Sequence, residues 1–302
     1  MPKVGVEVSM LNKLDKEEYF YGHKGCGGCG GSLAVRLALK VLGKNTFVVL
    51  PAGCMSAVGF VYPQLCFGVN ALISPFASTA AMLSGIRAAT NALNIQDCNV
   101  VGFAGDGGTA DIGLQALSGA IDRGDKIIYI CYDNEAYMNT GVQQSSLTPY
   151  GARTTTTPPG DNIHGSINNK KDMFGIVAAH HIKYAATASI GNIPDYIRKI
   201  EKAKNTNGTS YIHVAAPCPT GWGIDSSDTV SIAREAIECG LWYLAEYEDG
   251  VYKLNQKKRE YTSISAYLKK QSRFKHITDQ DIEIIIEQRD KKIKFIEQLS
   301  SF

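Results

Sequence analysis

Apolar and polar positions change rhythm several times along this chain, and each change marks an element. Ser32-Leu-Ala-Val-Arg-Leu-Ala-Leu-Lys-Val-Leu repeats its apolar residues at three- and four-residue steps, the period of a helix with one buried face. Ser32 is the expected cap and Gly43 the stop. Thr46-Phe-Val-Val-Leu is a short β-branched and aromatic run that ends at Pro51, which predicts a buried strand. Ser78–Leu93 is built of small residues and predicts a closely packed helix. Then Asn99-Val-Val-Gly-Phe-Ala predicts a strand, Gly105-Asp-Gly-Gly-Thr a tight loop, Asp111–Arg123 a helix and Lys126-Ile-Ile-Tyr-Ile-Cys-Tyr a second strand. That order describes a βαβ unit on a parallel sheet, so the expected fold class is α/β.

Residues 143–172 are rich in Thr, Pro, Gly, Asn and Ser and form a long expected loop, a length that is usually functional or disordered. Tyr211-Ile-His-Val-Ala-Ala is a further strand signal, ending at Pro217-Cys218-Pro219. Residues 1–22 are a polar lead-in arm, and from about Tyr252 the chain turns charged and predicts a solvated extension. The expected division is a cofactor-binding domain over 1–240 and a C-terminal extension over 241–302, packed on the same domain or on a partner subunit. No internal repeat is visible.

Residues 45–86 contain no charged side chain. A membrane-spanning helix needs about 20 continuous apolar residues, and Pro51, Pro63 and Pro75 with Gly53, Gly59 and Gly68 break the stretch into shorter pieces. The expectation is backbone buried against a cofactor or another subunit, not membrane. Composition adds little: of 302 residues, 44% are hydrophobic and 20% charged, with a formal net charge of +2. Neither that charge nor any basic run interleaved with aromatics argues for nucleic acid. The N-terminus lacks the pattern of a signal peptide. Eight cysteines without an export signal predict a reducing, cytoplasmic setting, where clustered cysteines hold metal or do redox chemistry more often than they form disulfides.

Candidate chemistry lies at the strand ends. Asp106 follows a predicted strand, where open α/β sheets bind ligands. The flanking Gly105 and Gly107 let backbone N–H groups approach an anion, and the helix start behind them favours negative charge. Asn134 ends the next strand. Two hard oxygen ligands beside a phosphate cradle suit Mg²⁺. A Gly-Asp-Gly followed by Asn after 26 intervening residues resembles the thiamine diphosphate signature; the bland reading is a turn Asp and a capping Asn. Cys26-x-x-Cys29 by itself fits zinc, a redox dithiol or nothing, and no second such pair completes a zinc ribbon. Cys54 and Cys218 each follow a predicted strand in a Pro- or Gly-rich bend. Four thiolates suit a [4Fe–4S] cluster. Cys66, Cys98, Cys131 and Cys239 read as small buried hydrophobes. Gly25-x-Gly27-x-x-Gly30 matches a dinucleotide fingerprint, but no strand precedes it and no acidic partner follows. His23 and His164 read as ordinary loop histidines.

Together these residues resemble the β subunit of the 2-oxoacid:ferredoxin oxidoreductases, the pyruvate synthase group. The resemblance runs from about Gly22 to near residue 280 and includes Asp133-Asn-Glu-Ala-Tyr-Met-Asn-Thr-Gly-Val-Gln, Gly221-Trp-Gly and Ser272-Arg-Phe-Lys-His. It implies a thiamine diphosphate-binding fold with Cys26, Cys29, Cys54 and Cys218 on a [4Fe–4S] cluster. Asp106, Asn134 and the carbonyl of Ala136 would bind Mg²⁺, with Asn139 and Thr140 near the diphosphate and Asn139 the candidate catalytic residue. Gly105, Gly107 and Cys54 would also border the cofactor. The implied reaction is oxidative decarboxylation of a 2-oxoacid, pyruvate first, with electrons leaving through the cluster to ferredoxin and the acyl group going to coenzyme A. Partners of α, γ and δ type would complete the complex, the α type supplying a carboxylate to the cofactor. Two departures stand out. Many relatives carry an acidic residue where this chain has Gly31, and Met55-Ser-Ala-Val-Gly-Phe-Val-Tyr differs from pyruvate-type versions. Competing readings are a non-redox thiamine decarboxylase or carboligase, and a zinc-stapled binding module without catalysis.

Overall fold

The structure, a computed structural model, describes residues 14–161, 164–256 and 260–301. Residues 1–13 of the expected lead-in arm lie outside the described residues. The centre is an eight-stranded sheet in the order β10-β9-β7-β8-β6-β5-β1-β4. Its strands are β1 (Thr46–Pro51), β4 (Asn70–Ser74), β5 (Asn99–Gly105), β6 (Ile128–Asp133), β7 (Tyr184–Ser189), β8 (Ser210–Ala215), β9 (Ala245–Glu248) and β10 (Val251–Leu254). The pairings β4–β1, β1–β5, β5–β6, β6–β8 and β8–β7 are all parallel. A hairpin of β9 and β10 adds antiparallel to β7. A second, two-stranded ribbon joins β2 (Phe60–Val61) to β3 (Gln64–Leu65).

Parallel strands need helical crossovers, and those helices bury both faces of the sheet. Accordingly every residue of β6, β7 and β8 is buried, and their sequences read as continuous apolar or small runs instead of alternating ones. One face is covered by α1 (Gly30–Leu42) and α7 (Ile193–Asn205), which contribute Leu39, Leu42, Tyr196 and Ile200. The other is covered by α3 (Thr79–Ala92), α5 (Leu114–Asp122) and α6 (Met173–Ala179), with Leu83, Leu117 and Phe174. Truncating a fully buried leucine such as Leu39 to alanine costs ~2–5 kcal/mol.

The predicted βαβ unit is present, with β5 and β6 in register from Val101↔Ile128 to Gly105↔Tyr132. Two details differ from the sequence reading. Residues Asp106–Ala110 are not an open loop but one helical turn, α4, braced by the Thr109 hydroxyl on the Gly105 carbonyl at 2.8 Å. Helix α1 starts at Gly30 and not after Ser32: its N-cap is Cys29, whose sulfur accepts from the Ser32 N–H at 3.4 Å. Gly30 and Gly31 let the helix begin there, because both abut neighbouring backbone or side chains too closely for a larger residue.

The expected solvated extension is amphipathic. It contains α10 (Ile264–Lys269) and α11 (Asp279–Leu299). Ile264, Leu268, Phe274, Ile282 and Ile285 form a third core with Trp222 and with Ile232 and Ile237 of α9 (Thr229–Glu238). Among the described residues, no helix is long and apolar enough to cross a membrane.

Candidate active site

The carboxyl ends of β5 and β6 bring Asp106 and Asn134 together, as their neighbouring positions in the sheet require. Asp106, the first residue of α4, is 2% exposed. Its Oδ2 accepts from the Ser145 hydroxyl. Burial, and after it the Asp133 carboxylate, pushes Asp106 well above the usual carboxylate range. A carboxylate in such a place either keeps a proton or faces a cation. The Asn134 side chain puts one terminal amide atom 2.9 Å from the Ala136 carbonyl oxygen and 3.1 Å from Asp106 Oδ1. Taken as nitrogen, that atom donates to both oxygens. Taken as oxygen, it stands beside two further oxygens with no hydrogen between. Spacings of that size match the edge of an octahedron whose metal–oxygen bonds are about 2.1 Å.

Gly107 is required sterically, since a Cβ there would overlap the Tyr137 ring, whose hydroxyl donates to Asp111 Oδ2 at 2.7 Å. Asn139 and Thr140 lie beyond this point on an exposed turn, closed by Gln143 Nε2 on the Thr140 carbonyl at 2.9 Å.

The four cysteines come from three separate places. Cys26 and Cys29 share a turn, with the Cys29 N–H on the Cys26 carbonyl at 3.1 Å. That turn docks on the loop after β8 through the Gly30 N–H and the Pro217 carbonyl, 3.2 Å apart. Gly28, at φ +69°, abuts the Ser226 backbone and leaves no space for a side chain. Cys218 caps the short helix α8 (Pro219–Trp222), its sulfur accepting from the Gly221 N–H at 3.4 Å. Cys54 opens α2 (Cys54–Gly59). Burial raises the Cys54 thiol to about 12, helped by Cys218, Cys29, Asp106 and Cys26 in that order. All four thiols and Asp106 therefore share one neighbourhood. The caps at Cys29 and Cys218 aim the Ser32 and Gly221 N–H groups at the two sulfurs. Among the described residues, no three His, Cys, Asp or Glu side chains close on a single metal ion. A cubane cluster has a different demand, because its irons sit at separate corners and take one thiolate each.

Tyr132, on β6, fills the space between the two sets. A Cβ on Gly31 would come within 3.3 Å of Tyr132 Cδ2, and one on Gly105 within 3.4 Å of Cε2. At Gly31, where many relatives are expected to carry an acidic residue, a Cβ would press on Met55 Cε and the Tyr132 ring by a few tenths of an ångström.

Several residues of this site were not singled out from sequence. Glu135, between Asn134 and Ala136, is left-handed at φ +68°, a conformation that costs a non-glycine residue ~1–2 kcal/mol. Its carboxylate is clamped by Lys170 and Arg273, each at 2.6 Å. Lys170 also holds Asp133 at 2.7 Å, and His213 holds it at 2.8 Å. Asp133 is driven upward by burial but held down at about 2 by Lys170 and His213. Asp133 and Glu135 had a sequence signal only as part of the Asp133-Asn-Glu motif, and Trp222 and Arg273 only as part of the Gly221-Trp-Gly and Ser272-Arg-Phe motifs.

The remaining candidates are ordinary. His23 stacks on Phe20 at 4.7 Å, and His164 pairs with Asp281 at 3.0 Å. The residues before Gly25 form no strand of the sheet, so the dinucleotide pattern lacks its context. Cys66, Cys131 and Cys239 are buried as expected, while Cys98 is partly exposed against Arg87.

Residues 51–214 match the family described as thiamine pyrophosphate enzyme, C-terminal TPP binding domain. The pyruvate synthase subunit PorB of Methanothermobacter thermautotrophicus is 50% identical over 269 residues, 89% of this chain and 93% of that protein. The chain belongs to the thiamine pyrophosphate enzymes, among the 2-oxoacid:ferredoxin oxidoreductase β subunits. The ketoisovalerate oxidoreductase subunit VorB of Pyrococcus abyssi is 47% identical over 277 residues, covering 89% of each chain. The fold of this β subunit is also that of a 2-oxoglutarate:ferredoxin oxidoreductase from Magnetococcus marinus, at TM-score 0.58 and 20% identity over 74% of this chain and 82% of that one.

Proposed function

We propose that this β subunit holds thiamine diphosphate, Mg²⁺ and a [4Fe–4S] cluster and works in the oxidative decarboxylation of a 2-oxoacid. One observation carries the reading: the Asn134 side-chain amide lies between the Ala136 carbonyl oxygen and Asp106 Oδ1, at 2.9 and 3.1 Å, and the buried Cys54 thiol feels Cys218, Cys29, Asp106 and Cys26. Asp106 Oδ1, the Asn134 amide oxygen and the Ala136 carbonyl hold Mg²⁺. Backbone N–H groups at Gly105–Gly107 and the start of α4 receive the diphosphate, with Asn139 and Thr140 bordering it. Cys26, Cys29, Cys54 and Cys218 ligate the cluster. When bound, thiamine diphosphate supplies the carbon nucleophile that adds to the keto group, and the cluster a one-electron exit. The protein's part is to fix the distance between them, keep water from the gap with Tyr132 and Met55, and tune the sulfurs through the N–H groups of Ser32 and Gly221.

Electrons pass on to ferredoxin and the acyl group to coenzyme A, in a cytoplasmic complex with α-, γ- and δ-type subunits. The uncharged stretch supports the α contact: Tyr62 is 94% exposed and Leu65 69%, with Leu72 and Ile73 on the free edge strand β4. Exposed apolar groups so grouped mark an interaction surface. Pyruvate is the first substrate to test and the branched-chain 2-oxoisovalerate the second. The test is iron, sulfide and zinc analysis of the anaerobically purified complex, wild type against Cys218→Ala. The reading expects about four iron and four sulfide lost in the variant, beyond the partners' own clusters. Zinc without iron would point to the stapled module, and iron indifferent to Cys218 to a thiamine site without its redox neighbour.

A further inference from the structure

Two of the three residues that would hold the metal, Asn134 and Ala136, sit on one tight turn after β6, and a segment far along the chain grips that turn twice. Arg273 is 5% exposed. One guanidinium nitrogen lies 2.6 Å from Glu135 Oε2. The guanidinium plane also covers the Trp222 ring at 3.7 Å, and the Trp222 indole N–H donates to the Asn134 carbonyl at 2.8 Å. Arg273 thus reaches Asn134 through Trp222 and the next residue through its own ion pair. Its orientation is fixed in turn, because Arg273 Nε donates to Gln271 Oε1 at 3.0 Å and its carbonyl accepts from the Arg153 N–H at 3.0 Å.

The turn needs such a grip. Glu135 is left-handed, and relaxing it to an ordinary conformation would swing the Ala136 carbonyl away from Asp106. The other restraints on Glu135 are the Thr148 hydroxyl on its carbonyl at 2.7 Å, its own N–H on Asp133 Oδ1 at 2.9 Å, and Lys170 on Oε1. Each of these comes from residues 133–170, within 35 positions of Glu135. Arg273 and the Trp222 ring it covers tie the turn to the core of Leu268, Phe274 and Ile285. Octahedral Mg²⁺ tolerates little ligand displacement, and partners that orient ligands are worth tenfold or more in metal affinity.

We propose that Arg273 is a positioning residue for the metal: through Glu135 and Trp222 it sets the Asn134 and Ala136 oxygens at ligating spacing. The C-terminal segment is then part of the cofactor site and not only a cover for the sheet. The inference rests on the Mg²⁺ reading above, and the two fail differently.

The experiment titrates Mn²⁺ into the purified complex with thiamine diphosphate present, following free Mn²⁺ by its paramagnetic resonance. Wild type is compared with Arg273→Gln, Arg273→Lys, Glu135→Gln and the Glu135→Gln/Arg273→Gln double variant. Lys270→Ala, which removes only the exposed pair with Glu235, is the control. Arg273→Gln is expected to weaken Mn²⁺ binding by about tenfold or more. The double variant should bind no worse than the weaker single, since both remove one linkage. Arg273→Lys should fall between wild type and Arg273→Gln, because it keeps the charge on Glu135 and loses the stack on Trp222. High Mn²⁺ should restore thiamine diphosphate affinity in Arg273→Gln, which a merely damaged fold would not allow. Wild-type Mn²⁺ affinity in Arg273→Gln, or single effects that multiply in the double variant, would overturn the proposal. If Arg273→Gln does not fold, Arg273→Lys decides: unchanged affinity overturns it, and weakened affinity rescued by Mn²⁺ supports it. A wild-type complex with no thiamine diphosphate-dependent Mn²⁺ site would instead remove the metal reading itself.

Discussion

The indole N–H of Trp222 donates to the carbonyl oxygen of Asn134 across 2.8 Å, joining the short helix capped by Cys218 to the strand end that carries the Asn134 amide. The cysteine set and the oxygen set are therefore mechanically coupled. Trp222→Phe keeps most of the apolar contact but strands a buried carbonyl, a loss of ~1–3 kcal/mol. Urea unfolding of the cofactor-free chain measures it. A loss of only a few tenths would mean the carbonyl finds another donor, and the coupling would be weaker than the geometry implies.

Gly31 offers a second check. Its missing side chain is replaced in space by Met55 Cε, 3.2 Å from where a Cβ would lie, and by the Tyr132 ring. Gly31→Asp should destabilise by ~1–3 kcal/mol through overpacking. Because the near atom belongs to a flexible methionine, adding Met55→Ala should recover much of the loss. Thermal melts of the two variants decide this, and no recovery would assign the strain to Tyr132.

Tyr132 touches both halves of the site. Tyr132→Leu removes the ring between Gly31 and Gly105 and leaves a void costing ~1–3 kcal/mol. Iron retention and thiamine diphosphate affinity should fall together. A variant that loses one and keeps the other would refute a shared wedge.

Glu246, on β9, gives a pH signature away from the site. Burial raises it, but hydrogen bonds from Lys202, Asn255 and Tyr184 bring it down from 4.5 to about 2. A group depressed on folding stabilises the protein above its unfolded value, and that stability is lost as pH falls through the folded one. The window here runs from about 4.5 down to about 2. Glu246→Gln should cost ~1–3 kcal/mol at neutral pH, with the gap to wild type closing across that window in urea titrations.

The fold was largely legible because β5 and β6 are buried on both faces, so their sequences announce themselves as apolar runs between glycine-rich ends. Asp106 and Asn134 were legible for a related reason, as polar residues placed where such strands stop. The cap at Cys29 was not, because sulfur is a poor capping acceptor and Ser32 looked like the better one. Lys170 was invisible, and so was the ion pairing of Glu135, since a charged residue carries no sign of which distant charge it will meet. The amphipathic α11 read as solvated because charged positions outnumber its buried isoleucines, and what they pack against comes from the distant α9 and Trp222.

Arg273 follows every other residue of the site in the chain. Domains form from the N-terminal side as synthesis proceeds, so the nascent protein exposes its four thiols and its glycine cradle before the last brace on the metal turn has been made. On the proposed metal reading, a chain made only as far as Trp222 would carry the parts of the site without its last brace.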